Sequence, residues 1–345
     1  MLAYAIVVAT RNRLSALRIS IPLFLEQRAR PARIVVVDCS DDHAAVRAFC
    51  LSLSADTPVP IEVIQSDAAN LANQRNRGTE RVKEPIVMFP DDDAFWFSDT
   101  AEKVLAVYAH DSHELIGGVT AIEVEHSPVE TGEVVPRKAV RFVEQRHVHR
   151  IRNVIEDKLF PEPFHIYGRL RTAILERRAR ALGIGVPFVP TMGGYRMSFR
   201  TEVARDLRFD ETLGSRVGYS QHEDKDISLR TLKTGRLLAV APGARVHHHV
   251  FPGRRAGGFA YGFCHIFNYA YICFKVFGDD PNAISGLKRY CEYKKFLYGL
   301  RRASRYHREI AQGAKAAMQE YHQLARAGRE DLAFVYGEAS DRWLK

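Results

Sequence analysis

Apolar and polar positions repeat one arrangement through about the first ninety residues. Tyr4-Ala-Ile-Val-Val-Ala-Thr10 is a β-rich run closed by Arg11-Asn12-Arg13, and Leu14, Leu17, Ile21 and Leu25 then recur at the spacing of one helix face. Arg33-Ile-Val-Val-Val-Asp38 is a second strand, with a helix from His43 to Leu53. Ile61-Glu-Val-Ile64 is a short third strand, followed by the amide-rich segment Asn70-Leu-Ala-Asn-Gln-Arg-Asn-Arg-Gly78. The fourth apolar run, Ile86 to Phe89, leads through Pro90 into Asp91, Asp92 and Asp93. Continuous rather than alternating apolar runs belong to strands covered on both faces. Strands alternating with helical connections predict a parallel, Rossmann-like sheet whose ligand loops gather at the carboxyl edge.

The pattern changes after Phe251. Phe259 to Phe277 is strongly aromatic, but His265, Asn268 and Lys275 interrupt it, and a membrane-spanning helix needs about 20 mainly apolar residues. Two readings stay open: a helix packed on the α/β domain, or an interfacial helix supported by Lys288, Arg289, Lys294, Lys295, Arg301 and Arg302. Ser285 to Leu332 remains helical and polar, as expected of a tail of two or three helices. The expected division is an α/β domain over 1–250 and a helical, basic extension over 251–345. Glu125 to Gly185, with Arg137-Lys138, His147-Val-His-Arg-Ile-Arg152 and Glu176-Arg-Arg-Ala-Arg180, reads as an inserted segment, either a solvated arm or part of an acceptor side.

Composition narrows the class. With 345 residues, 46% hydrophobic and 26% charged, the chain has room for a large core and an appendage. The five cysteines show no CxxC spacing, which argues against a disulfide framework or a cysteine zinc site and for a reducing compartment. No basic stretch or cleavage site precedes the first strand, so a cytoplasmic protein is expected. The formal charge is +9, and from Gly253 onward 16 Lys and Arg face 9 Asp and Glu. Such a face suits nucleic acid, an anionic membrane or phosphorylated small molecules, or is simply solvated.

The candidate chemistry starts at the three aspartates. Adjacent carboxylates repel, so they either lie in solvent or are held by a cation, and an oxygen-rich site suits Mg²⁺, Mn²⁺ or Ca²⁺. No GxGxxG or GxxxxGK[ST] follows any strand, so phosphate must be held otherwise. A divalent ion on Asp91 and Asp93, helped by Arg75 or Arg77, would serve, and Asp38 at its strand end suits a base or ribose contact. In His247-His-His249, alternation places His247 and His249 on one face and His248 on the other. A zinc site there lacks a fourth ligand at a recognisable spacing.

The order of AIVVATRNR, IVVVDCSDD, NLANQRNRG and VMFPDDDA resembles glycosyltransferase family 2, the inverting enzymes of the GT-A fold. Thr191-Met-Gly-Gly-Tyr-Arg-Met-Ser-Phe199, Phe209-Asp-Glu-Thr-Leu-Gly214, His222-Glu-Asp-Lys-Asp-Ile-Ser-Leu-Arg230 and Pro242-Gly-Ala-Arg-Val-His247-His-His249 extend the likeness over roughly residues 4 to 250. The resemblance implies an α/β GT-A domain with a C-terminal helical extension. It implies nucleotide contacts from Thr10, Arg11, Asn12, Arg13, Asp38, Asn70, Asn73, Arg75, Asn76, Arg77, Asp91 and Asp92. A divalent cation, Mg²⁺ or Mn²⁺, is expected on Asp91 and Asp93 of the DxD-like motif, with His247 as first and His249 as second choice of further ligand, and His248 packing or solvated. Gly193, Gly194 and Glu223 are expected on the acceptor side, Asp224 as general base with Glu223 as the catalytic neighbour that binds the acceptor or orients the base, and Asp226 at a helix N-terminus. His222 stands where the family's glycine precedes the Glu-Asp pair, and Cys39 interrupts the usual acidic pair of the second strand.

The activity so implied is transfer of a sugar from a nucleotide-diphosphate sugar to a glycan or lipid-linked acceptor in cell-surface polysaccharide synthesis. It is compatible with peripheral contact at the inner face of a membrane, and no nucleic-acid partner is expected. Two alternatives differ in class. A sugar-nucleotide nucleotidyltransferase would carry a glycine-rich basic loop after its first strand, and Thr10-Arg-Asn-Arg13 has no glycine. A non-catalytic basic module would bind nucleic acid or membrane independently of Asp93 and Asp224.

Overall fold

A computed structural model of the chain describes residues 2–129, 160, 162–214, 221–249, 257–278, 280–300 and 304–344. The chain divides into two compact units. The first combines residues 1–133, 168–211 and 223–253; the second combines 134–167, 212–222 and 254–345. Of the inserted segment between Glu125 and Gly185, the basic pieces Arg137-Lys138 and His147 to Arg152 lie outside the described residues.

The first unit is built on one eight-stranded sheet. Its strands are β1 (Tyr4–Thr10), β2 (Arg33–Asp38), β3 (Ile61–Gln65), β4 (Ile86–Pro90), β5 (Ala94–Trp96), β6 (Ile116–Glu123), β7 (Arg196–Arg200) and β8 (Leu237–His248), in the order β3-β2-β1-β4-β7-β6-β8-β5. The first four are parallel, as the alternation of strands and helices demands. The sheet is mixed beyond them: β7 is antiparallel to β4 and β6, and β5 to β8. β7 comes from far along the chain and enters from the opposite end, so its order was not readable from neighbouring elements.

Strand alternation sorts the core into two layers. Ile6 and Val8 of β1 and Ile34 and Val36 of β2 face α1 (Leu14–Leu25), α2 (His43–Ala55) and α4 (Thr100–Ala109), where Leu17, Phe24, Val46 and Leu105 are buried. Ala5, Val7, Val35 and Val37 face the other way, with Ala72 of α3 (Leu71–Arg81) and Ile227 of α7 (Glu223–Lys233). Gly78 lets α3 close on the sheet, since a Cβ there would run into Val7 and stand 3.2 Å from Val37. α5 (Pro163–Ala181) precedes β7, and α6 (Thr201–Leu207) follows it.

The second unit contains α8 (Gly258–Phe277), α9 (Pro281–Ser285), α10 (Leu287–Leu300), α11 (Arg305–Arg326) and α12 (Leu332–Trp343). The aromatic α8 is a core helix: Phe263, Phe267, Ile272 and Val276 are buried, as is the polar Asn268. Asn268 is satisfied by donating to Gln221 O at 3.0 Å and accepting from Tyr336 Oη at 2.7 Å. α8 and α11 cross closely at glycines: a Cβ on Gly258 or Gly262 would strike the α11 backbone, and one on Gly313 the α8 backbone. No helix among the described residues is long and apolar enough to cross a membrane. All five cysteines are free.

Candidate active site

β1, β2 and β4 end side by side, so their carboxyl-terminal loops converge. Asn12 takes a left-handed φ of 54°, which asparagine tolerates, and joins the first two loops. Its Nδ2 donates to Asp41 Oδ2 at 2.9 Å, while Ser40 Oγ accepts from its backbone N–H at 2.7 Å. Asp38, fully buried, accepts from Ser40 N–H at 2.9 Å and pairs with His43 Nδ1 at 2.7 Å. Arg11 is exposed on the same edge.

The aspartates after β4 are not a solvated turn. Asp92 and Asp93 are each 4% exposed. Asp92 accepts from Thr10 Oγ1 at 2.8 Å, and Arg13 Nη1 lies 3.2 Å from Asp92 Oδ1 and 2.8 Å from Asp93 Oδ2. Burial first, and then the neighbouring Asp93 charge, push the Asp92 carboxyl up to about 7 despite Arg13. Asp91 is raised by the same desolvation, opposed by Arg75. Burial thus disfavours ionisation of these carboxyls even with Arg13, Arg75 and His248 beside them.

The histidines fall otherwise than expected. His248 Nε2 lies 3.2 Å from Asp93 Oδ1, and its ring stacks on Tyr195 at 4.5 Å. The reason is register: β5 pairs with β8 so that Phe95 opposes His247 and Ala94 opposes His248. His249 therefore stacks on Phe95 at 5.1 Å, and His247 Nδ1 meets Val124 O at 3.2 Å. The two-to-one division by face holds, but the face turned to the acids is that of His248. It, rather than His247 or His249, joins Asp91 and Asp93, their nearest ligand atoms all within 4.8 Å of one another.

This donor set fits a divalent cation. Two carboxylates suit Mn²⁺ or Mg²⁺, the added imidazole favours Mn²⁺ of the two, and Asp93 Oδ1 is buried facing His248 Nε2.

Arg75 is the hinge of the site's interior. Only 1% exposed, it donates from Nη2 to Asp91 Oδ1 at 2.9 Å and from Nη1 to Glu223 Oε1 at 3.1 Å, and its guanidinium lies over Phe209. It is a buried strut, not a surface arginine open to phosphate; Arg77 is partly exposed on the same helix. The amides of α3 are also committed inward. Asn70 caps the helix and donates to Glu211 O at 2.8 Å, Asn73 donates to Glu211 Oε2 at 2.8 Å, and Asn76 donates to Glu211 Oε1 at 2.8 Å and Phe209 O at 2.9 Å. Asn70, Asn73 and Asn76, expected to contact nucleotide, use these side-chain bonds to anchor the Phe209-Asp-Glu211 segment. Their spacing of three put them on one helix face and was the available signal of a shared partner. Burial opposes ionisation of Glu211, but the Asn73 and Asn76 donors outweigh it and hold its pKa below the usual value.

The Glu-Asp pair opens α7 after His222, whose φ of 68° explains the glycine usual at that position. Glu223 is 6% exposed, and burial followed by the Asp224 charge raises its carboxyl to about 7. Asp224 is more open. Its Oδ2 accepts from Gly194 N–H at 3.0 Å and its Oδ1 from Lys225 N–H at 2.8 Å. Gly194 is confined between the partners: a Cβ would lie 3.2 Å from Arg75 Nη2 and 3.5 Å from Glu223 Oε1. A Cβ on Gly193 would lie 3.1 Å from Arg196 Nε. Asp226 is fully buried and pairs with Arg230 Nε at 2.9 Å, so it secures α7 rather than merely facing its dipole.

The family model described as glycosyltransferase-like family 2 matches residues 3–257. The chain belongs to this family. Among solved structures, it aligns with a mannosyltransferase from Pyrobaculum calidifontis in complex with GDP-Man and Mn²⁺ at a TM-score of 0.53 and 15% identity, over 100% of this chain and 88% of that one. It aligns with S. aureus TarS residues 1–349 in complex with UDP-GlcNAc at 0.54 and 14%, over 99% and 91%. At these identities the likeness shows the fold, which is the α/β glycosyltransferase fold expected from the motifs. No curated protein gives a significant match. For a family 2 glycosyltransferase, the acidic cluster after β4 and the Glu-Asp pair on α7 are the two places to look for chemistry.

Proposed function

We propose that the protein transfers a sugar, with inversion, from a nucleotide-diphosphate sugar to a hydroxyl of a glycan or lipid-linked acceptor. The observation that carries this reading is the join between two unlike carboxylate sites: Arg75 holds Asp91 of the acidic cluster and Glu223 of the Glu-Asp pair. One site suits a charged leaving group, the other an incoming hydroxyl. The GDP-Man, UDP-GlcNAc and Mn²⁺ of the fold's relatives support a nucleotide-sugar donor and a divalent ion.

Asp91, Asp93 and His248 would hold the cation. When bound, it supplies charge neutralisation for the departing diphosphate. Arg13, fixed by Asp92 and Asp93, keeps these carboxylates oriented, and Arg11 and Arg77 offer positive charge to phosphate. Asp38 and the loop of Asn12 form the floor for the nucleoside.

Asp224 is the base in this reading. Two backbone N–H groups fix its carboxylate, so it meets the acceptor hydroxyl in one orientation. As the hydroxyl oxygen bonds to the sugar's anomeric carbon, its proton passes to Asp224 and the bond to the diphosphate oxygen breaks on the opposite face. Glu223, gripped by Arg75, positions Asp224 and the acceptor. The test is product formation from a panel of nucleotide sugars with Mn²⁺: a single inverted product that disappears with Asp224→Asn supports the reading, and turnover undiminished in that variant overturns it.

The basic surface permits a second reading, salt-sensitive binding without catalysis. Salt-sensitive binding to nucleic acid or anionic lipid that survives Asp93→Ala and Asp224→Asn, with no transfer to any acceptor, would favour it.

A further inference from the structure

α5 carries an apolar stripe that stands exposed. Ile166, Leu170 and Ile174 are 39%, 62% and 66% exposed, and their spacing of four places them on one face. Isolated exposed aliphatic residues are ordinary, but three in register on one helix are not. The opposite face is spent on packing: Thr172 and Ala179 are buried, and a Cβ on Gly168 would stand 3.1 Å from Pro190 O.

The stripe's borders are basic. Arg171 and Arg178 flank it on one side and Arg169 and Arg180 on the other, all four exposed, with Arg177 at its lower end. Glu176 is the lone acidic residue of α5 and is engaged by Arg180 at 2.6 Å. An apolar face buried to a few ångströms, with arginines reaching outward from both edges, matches an anionic lipid surface, which offers acyl chains between phosphate headgroups.

We infer that α5 docks the protein on an anionic membrane through Ile166, Leu170 and Ile174, with the flanking arginines on lipid phosphates. The aromatic α8, for which the sequence left packing and interfacial contact both open, has its apolar face buried, whereas α5 has its apolar face exposed. Gly168 seats the opposite face of α5 on Pro190 and leaves the stripe outward; docking does not rest on the proposed transferase reading.

The experiment is sedimentation of the full chain with vesicles of phosphatidylcholine alone or with about 30 mol% phosphatidylglycerol, a strongly anionic surface. Wild type sediments only with the anionic vesicles at low salt and is released by salt. Leu170→Glu/Ile174→Glu lowers the bound fraction about tenfold or more, because two side chains leave the apolar phase, with unchanged melting temperature and unchanged nucleotide-sugar binding. Phe296→Glu/Leu300→Glu on α10, a second exposed apolar pair, leaves sedimentation unaltered. Three results overturn docking by α5: no sedimentation, loss only in the α10 variant, or a wild-type dimer that Leu170→Glu/Ile174→Glu makes monomeric, which would mean a second copy covers the stripe. Loss of transfer in Asp224→Asn with intact sedimentation, or the reverse, separates this inference from the proposed reaction.

Discussion

Arg75 bonds Glu223 at 3.1 Å through one nitrogen and Asp91 at 2.9 Å through another, and so ties the start of α7 to the end of β4. A guanidinium keeps its charge in a protein interior, and it opposes the burial that raises both partner carboxyls, Glu223 to about 7. One planar fork thus sets the spacing of the two halves of the site.

Removing that fork should cost stability. Arg75→Met leaves Glu223 buried beside Asp224 without its cation, and loss of one partner of a buried pair costs about 3–5 kcal/mol. Arg75→Lys restores charge but not the two-pronged geometry, so it should recover only part. Urea unfolding measures both, and Arg75→Met/Glu223→Gln should lose less than Arg75→Met alone. Equal losses in the single and double variants would mean the ion pair contributes nothing.

The histidine order is testable by substitution. His248→Ala should weaken Mn²⁺-dependent nucleotide binding by about 10–100-fold, the scale of losing one support of a metal site, and Asp93→Ala should abolish the metal dependence. His247→Ala and His249→Ala should change it little, because Val124 and Phe95 occupy those rings. Calorimetry with and without chelator reads each; a larger effect at His247 would return it to the site.

The base assignment separates binding from turnover. Asp224→Asn should leave donor affinity intact and lower the transfer rate by about 10²–10⁴-fold. Glu223→Gln should lower it less, and Asp226→Asn should act on stability through Arg230 rather than on rate. Rates at saturating substrate decide the order, and a greater loss in Glu223→Gln passes the role to that residue.

Proton uptake gives a further check. Asp92 and Glu223 are raised from 3.8 and 4.5 to about 7 in the folded chain, so the native state binds protons that the unfolded state has released. Their contribution to stability is complete below pH ~4 and is lost as pH rises toward ~7, by about 1.4 kcal/mol per pH unit and group where only the native form is protonated. His265, pushed down to about 3 by burial, acts in the opposite sense below its ordinary pKa. The informative quantity is therefore the difference between wild type and Asp92→Asn, without metal. The variant should gain relative stability from pH 5 to pH 7.5; a difference that does not vary with pH would contradict the raised pKa.

The local pattern of this sequence was enough for its first half. Four apolar runs of strand length, each ending in polar residues, can only stack as a covered parallel sheet with its loops on one edge, and β1 to β4 follow that rule. The acidic cluster and the Glu-Asp pair stand out through the resemblance of their motifs to family 2, since carboxylates at strand and helix ends also serve as solvated turns and helix N-terminal charges. Alternation even divided the three histidines two to one. Which face met the acids was beyond it, since that depends on the register of Ala94 and Phe95 against His248 and His247, about 150 residues apart in a chain whose pairing no local period encodes. The same holds for Arg75, Asn73 and Asn76. Their composition invites phosphate and nucleotide, but the interior had its own unpaired groups, Asp91, Glu223 and Glu211, and a buried polar group must find its partner within the fold.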